Sequence, residues 1–184
     1  MSEVKAVCVF CGASNNAPKA HLEIGTAFGT ELAQKNIRLV YGGGDCGVMG
    51  TVANAVLRNQ GKVTGVFPMS LKNIESEHAA LSEIIMVESM HERKRIMFER
   101  SDAIVVLPGG FGTMDEMFEI ITWKQLQFHT KPIVIFNHLG YWDPLVTLME
   151  SMINQGFAKP ETRNLYQVAD SIEGVLQAVK QVAV

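Results

Sequence analysis

Apolar and polar positions along the chain follow two rhythms. Short runs rich in Val, Ile, Phe and Cys stand between longer stretches in which apolar residues recur every three or four positions. The short runs predict strands near 5–11, 37–41, 62–67, 84–88, 103–107 and 132–136, with a further short one near 165–168. The longer stretches predict helices near 18–35, 48–60, 90–100, 113–128, 142–155 and 171–182. Strand and helix thus alternate throughout. That order predicts a Rossmann-like, doubly wound α/β fold: a mostly parallel sheet of six or seven strands with helices on both faces. Ala103-Ile104-Val105-Val106-Leu107 has no polar position and reads as a strand covered on both sides. The one long irregular stretch runs from Pro68 to Ser82, where it can cover a site.

The junction after that buried run carries most of the chemistry. Pro108-Gly109-Gly110-Phe111-Gly112-Thr113 links the strand to an amphipathic helix, and its glycines leave no Cβ in the way of a ligand. Free N–H groups and the positive end of the helix dipole then favour an anion there, with Thr113 expected to cap the helix. Glu116 falls one turn further on. A carboxylate repels a bound phosphate, so its presence suggests chemistry on something attached to the phosphate. A second glycine turn, Gly42-Gly43-Gly44-Asp45-Cys46-Gly47-Val48-Met49-Gly50, follows the strand Arg38-Leu39-Val40-Tyr41. Either turn alone also serves as a tight strand-to-helix connection, whereas the pair favours an anion site. Neither ends in Gly-Lys-Ser/Thr, and neither is a dinucleotide fingerprint followed by an acidic residue. In an open sheet of this kind both turns, Gly12-Ala13-Ser14 and Glu88-Ser89 gather at the carboxyl ends of the strands.

Composition narrows the field. The chain has 184 residues, 47% of them apolar, with no repeat or linker-like segment, and residues 1–184 read as one domain. A net charge of -3 gives no general attraction to nucleic acid polymers or anionic membranes. No apolar run spans a bilayer and the first residues lack a signal-peptide pattern, so a cytoplasmic location is expected. Three cysteines agree with a reducing compartment. Cys8 and Cys11 lie on a strand at an offset that sends them to opposite faces, which argues for burial over a redox pair. The histidines show no ligand spacing; neither a metal nor a cofactor is indicated.

Met90-His91-Glu92-Arg93-Lys94 opens a helix near the same rim, so Arg93 or Lys94 can face the site. A solvated basic face paired with Glu92 and Glu99 would also fit the spacing. Arg93 nevertheless stands in the first turn, where a cation opposes the dipole, and so requires a partner outside its own helix.

With these motifs the chain resembles the Lonely Guy family of cytokinin-activating phosphoribohydrolases, many bacterial members of which bear the older label of possible lysine decarboxylase. The resemblance runs from Phe10-Cys11-Gly12-Ala13-Ser14 through Tyr41-Gly42-Gly43-Gly44 and Gly47-Val48-Met49-Gly50 to Ile121-Thr122-Trp123. Its core is Met90 to Lys94 together with Pro108 to Glu116. It implies a nucleotide-binding domain whose catalytic pair is Arg93 and Glu116. Substrate contacts carried over are Lys94, Gly109, Gly110, Gly112, Thr113, Ser14, Gly43, Glu75 and Thr122. Ser14-Asn15-Asn16-Ala17-Pro18 departs from the usual pattern of the first turn and bears on substrate preference.

The implied reaction is hydrolysis of the N-glycosidic bond of a nucleoside 5′-monophosphate, AMP or a cytokinin riboside monophosphate, to free base and ribose 5-phosphate. A fixed carboxylate suits it, since positive charge builds on the sugar ring. A decarboxylase would need a Schiff-base lysine in an enclosing site, which neither Lys94 nor Lys124 has. The rival class is a nucleotide or phospho-cofactor carrier without turnover, for which an acid against its own anion is of little use. Helix 113–128 carries apolar residues on two faces; burial of the second under another element of the same chain explains this equally well, and the resemblance implies a homodimer covering it.

Overall fold

The computed structural model describes residues 3–72 and 77–181. Its elements in chain order are β1 (Ala6–Phe10), α1 (Lys19–Gln34), β2 (Arg38–Tyr41), α2 (Gly47–Arg58), β3 (Val63–Pro68), β4 (Glu83–Val87) and α3 (Met90–Glu99). They continue with β5 (Ala103–Val106), α4 (Phe111–Gln125), β6 (Ile133–Phe136), α5 (Asp143–Asn154), β7 (Gln167–Ala169) and α6 (Ile172–Ala178). All seven strands run parallel in the order β4-β3-β2-β1-β5-β6-β7. The expected fold is the one found.

The order has one consequence for function. From β1 the chain builds outward to β4, then returns to lay β5 on the other side of β1, so the loops after β1 and β5 diverge to opposite faces. The crevice between them is where an open α/β sheet holds a ligand. Gly12, just past β1, donates its N–H to the Pro108 carbonyl at 3.0 Å, which ties the two loops together at that point.

Each face of the sheet has its own core. Phe28 and Leu32 of α1, Val52 and Val56 of α2 and Val175 of α6 pack on Val7, Val9, Leu39 and Val105. Met97, Met117, Ile120 and Met149 from α3, α4 and α5, with Trp142 just before α5, cover Cys8, Phe10, Ile104 and Val106 on the opposite side. β5 is buried at every position, as its unbroken apolar run requires. Cys8 belongs to the second core and Cys11 packs against the first, so the two thiols do lie on opposite faces. Both are free, as is Cys46.

Local signals set the helix ends that matter. Ser89 caps α3 by accepting the N–H of Glu92 at 3.1 Å, while the Glu92 carboxylate accepts the N–H of Glu88 at 3.1 Å. This fixes the entry of the helix that carries Arg93. α4 starts at Phe111, two residues before the expected start, and ends at Gln125, because Gln127 turns left-handed with φ 63°. α6 stops at Ala178, ahead of the 182 expected from its periodicity.

α1 and α2 approach unusually closely at Gly29, where a Cβ would lie 2.5 Å from the Val52 carbonyl oxygen. Gly29→Ala gains about 1 kcal/mol of helix propensity but forces the helices apart, at a cost of about 1–3 kcal/mol. Urea unfolding is expected to show net destabilisation. A variant as stable as the parent would mean that the two helices separate freely.

Candidate active site

The crevice between the β1 and β5 loops opens into a cavity of about 320 Å³. Its wall includes Gly12, Ala13 and Ser14 after β1, Gly42 after β2, Met90, Arg93 and Met97 of α3, and Gly110, Gly112, Thr113, Asp115 and Glu116 of α4. The two expected catalytic side chains, Arg93 and Glu116, thus meet in one space.

Arg93 is the best-anchored group there. Its Nε donates to the Val66 carbonyl at 3.2 Å and its Nη2 to the Gly42 carbonyl at 2.9 Å. Those oxygens lie at β3 and just past β2, so two strands hold the guanidinium as a fork. Nη1 is left facing the Glu116 carboxylate, with Oε1 at 3.9 Å. Arg93 is only 7% exposed, so the solvated basic face is excluded for this residue. Arg95, pairing with Glu99 at 2.9 Å, is the one that points outward. The partner that the dipole argument required proves to be a pair of main-chain carbonyls together with a carboxylate.

Glu116 is 9% exposed, and burial pushes its carboxyl up to about 7, against the pull of Arg93. An ion pair at this separation is worth about 4 kcal/mol in a medium of intermediate dielectric. Burial outweighs it, because a carboxylate loses more hydration here than one cation at 3.9 Å restores. The acid therefore changes charge near neutral pH.

The floor is the amino end of α4. Gly110 is the N-cap and Phe111, Gly112 and Thr113 form the first turn, whose N–H groups have no partner within the helix. Nothing stands within 4 Å of the place where a Cβ at Gly110 or Gly112 would be. A ligand phosphate can approach those donors closely.

Other expected contacts fall elsewhere. Thr113 is not the cap, since no side chain caps α4; it is buried in the first turn and still lines the cavity. A Cβ at Gly109 would overlap the Thr113 hydroxyl, so Gly109 supports the turn from behind, with its carbonyl accepting from the Tyr141 hydroxyl at 2.6 Å. Lys94 is turned away from the cavity and pairs with Asp115 at 3.1 Å and Glu119 at 2.9 Å. Burial pulls its ammonium down, yet the hydrogen bonds it donates to Glu119 and Asp115 outweigh that and leave it raised. It joins α3 to α4 one residue beyond the Arg93–Glu116 pair. Thr122 is exposed on the outer side of α4, its hydroxyl donating to the Phe118 carbonyl at 2.7 Å. Gly43 backs onto Phe67 and does not reach the cavity, whereas Gly42 does. Glu75 lies outside the described residues.

The second glycine turn is not an anion cradle. The Gly47 N–H goes to the Asn15 side chain at 3.1 Å and the Met49 N–H to the Gly12 carbonyl at 3.1 Å, so these donors at the start of α2 are spent on the β1 loop. A Cβ at Gly42 would overlap Arg93 Nη2. These glycines make room for a guanidinium and a neighbouring loop. Among the wall residues, Asp115, Met49, Met90 and Met97 were not expected as site residues. Met90 and Met97 are seven apart on one helical face, a spacing that reads as core.

A family model described as possible lysine decarboxylase matches residues 49–179. A cytokinin riboside 5′-monophosphate phosphoribohydrolase of Rhodococcoides fascians is 42% identical over 96% of this chain and 89% of its own length. The chain belongs to this Lonely Guy family. A second Lonely Guy relative, the cytokinin riboside 5′-monophosphate phosphoribohydrolase of Arabidopsis thaliana, is 38% identical over 97% of this chain and 78% of its own. Among solved structures, the molybdenum cofactor carrier protein of Chlamydomonas reinhardtii superposes with a TM-score of 0.74 at 21% identity, covering 98% of both chains. The molybdenum cofactor binding protein of Rippkaea orientalis gives 0.73 at 19%, again over 98% of both. At that identity the likeness concerns the fold.

Two outcomes test this geometry. Gly112→Ala adds a methyl to open space and a better helix former, so stability is expected to hold or rise while affinity for inorganic phosphate falls about tenfold. Unchanged phosphate affinity by calorimetry would remove α4 as the anion site. The raised carboxyl of Glu116 stabilises the fold only while protonated: the contribution is complete below about 4.5 and is lost as pH rises through about 7. Glu116→Gln is therefore expected to exceed the parent in thermal stability at pH 8 and to match it at pH 4.5, and equal stability at both would contradict the burial cost.

Proposed function

We propose that the protein hydrolyses the N-glycosidic bond of a nucleoside 5′-monophosphate, releasing the base and ribose 5-phosphate. The observation that carries this reading is the convergence of Arg93 and Glu116 on one cavity whose floor is the open end of α4. The phosphoribohydrolase names of the relatives support it.

The residues divide the work. The first-turn N–H groups of α4 hold the phosphate, which does not react, and that binding orients the sugar. The Glu116 carboxylate accepts a proton from water as the water oxygen bonds to C1′. The electrons of the breaking C1′–N bond leave with the base, which takes a proton from solvent. Positive charge on the ring in the transition state faces the same carboxylate. Arg93 Nη1 meets the phosphate or ribose and keeps Glu116 in place. No cofactor or metal is needed in this sequence of steps.

Two further readings belong with it. Phe111, at the start of α4, is 87% exposed, and Leu126 and Phe128, just past its end, are exposed too; these apolar surfaces support a homodimer. Thr122, outside its own cavity, would then face the partner's site. Free thiols and the absence, among the described residues, of a helix long and apolar enough to cross a membrane are consistent with a cytoplasmic location.

Purified protein with AMP is expected to release adenine and ribose 5-phosphate. Glu116→Gln should lower kcat about a thousandfold while nucleotide binding stays within a few-fold, and Arg93→Ala should lower both. The rate should climb with pH through about 7 as Glu116 ionises. Tight AMP binding with no base released would favour the carrier class, and activity like the parent's in either variant would remove these roles.

A further inference from the structure

Three consecutive glycines, Gly42-Gly43-Gly44, carry the carbonyl on which Arg93 rests. Such a triplet has no side chains to fix its conformation, and Gly43 takes φ 82°, so something else must hold it. Arg93 fixes it from the site. On the other side stands His78, a residue absent from every role assigned above.

His78 is buried, and its main chain is sewn to the triplet: its N–H donates to the Gly43 carbonyl at 2.9 Å, and Glu77 beside it bridges to Gly44. Its ring fixes the segment in turn. Nδ1 lies 3.2 Å from the Ala80 N–H and accepts from it, which puts the ring proton on Nε2. Nε2 faces the Asn54 side-chain oxygen at 3.3 Å and the Asp45 carboxylate at 3.5 Å. Asn54 in turn donates to Asp45 at 3.4 Å. Both partners belong to the turn after the triplet and to α2. The ring is therefore a rivet between the 77–80 segment and the body that carries Gly42.

We infer that His78 is a positioning residue for the reaction: it locks the glycine triplet so that the Gly42 carbonyl holds the Arg93 guanidinium against Glu116. This rests on Arg93 and Glu116 being the catalytic pair. Misplacing a catalytic group by about 1 Å can cost on the order of a hundredfold in rate.

The experiment is a double-mutant cycle on kcat for AMP, with folding followed by circular dichroism and thermal unfolding. His78→Ala alone is expected to lower kcat about 10- to 100-fold with KM changed less. In an Arg93→Ala background the same substitution should leave kcat unchanged while still lowering the unfolding temperature, since a residue acting through Arg93 has nothing left to position. His78→Gln, whose amide N–H reaches Asn54, and His78→Asn, whose oxygen can accept from Ala80, should each recover part of the rate and serve as readouts if the alanine variant does not fold. Equal fold-losses in both backgrounds, or kcat like the parent's in all three single variants, would overturn the inference. An active Glu116→Gln variant would instead overturn the catalytic reading beneath it.

Discussion

One buried cation organises this molecule. The Arg93 guanidinium is removed from water, and its hydration is replaced by the carbonyl of Val66, that of Gly42 and a carboxylate at 3.9 Å. Burying a charge is tolerable only when each part of it is met, and the carbonyl ends of two parallel strands supply fixed partial charges at no cost in side-chain entropy. The sheet thus does more than separate two cores. Its strand ends act as a template that sets one side chain, and through that side chain the position of Glu116.

The glycines make sense in this light. At Gly42 the missing Cβ leaves room for the guanidinium, and at Gly110 and Gly112 it leaves room for a ligand. The first space is filled by a side chain of the protein itself and the second is open, although the local sequences look alike. What separates them is where the nearby N–H groups point. At α2 the donors of Gly47 and Met49 are consumed by the β1 loop, and at α4 the first-turn donors face the cavity.

This distinction also explains what could be read in advance. The periodicity was enough for the fold, because seven strands buried mainly by Val, Ile and Phe alternate with helices whose apolar faces recur regularly. That Arg93 needs a partner outside α3 was legible because a cation in its first turn conflicts with that helix's own field, whereas Glu116 as that partner came from the family resemblance. Lys94 was not legible: neighbours on a helix point about 100° apart, and only the packing of α3 on α4 decides which of two adjacent cations enters the cavity. The cap of α4 was missed for a related reason. Thr113 has the chemistry of a cap, but the cap position falls three residues earlier, at Gly110. His78 left no local signal, since its partners come from α2 and the glycine turn, far away in sequence.

Phe111 opens α4 between the two unobstructed glycines and leaves its ring almost wholly in water. An aromatic surface of that size at the lip of a cavity gains free energy whenever something settles over it. The ring stands over a second, apolar hollow lined by Met114, Tyr141, Trp142, Leu145 and Leu148, so whatever covers it also covers the outer side of the turn whose inner side lines the Arg93–Glu116 cavity.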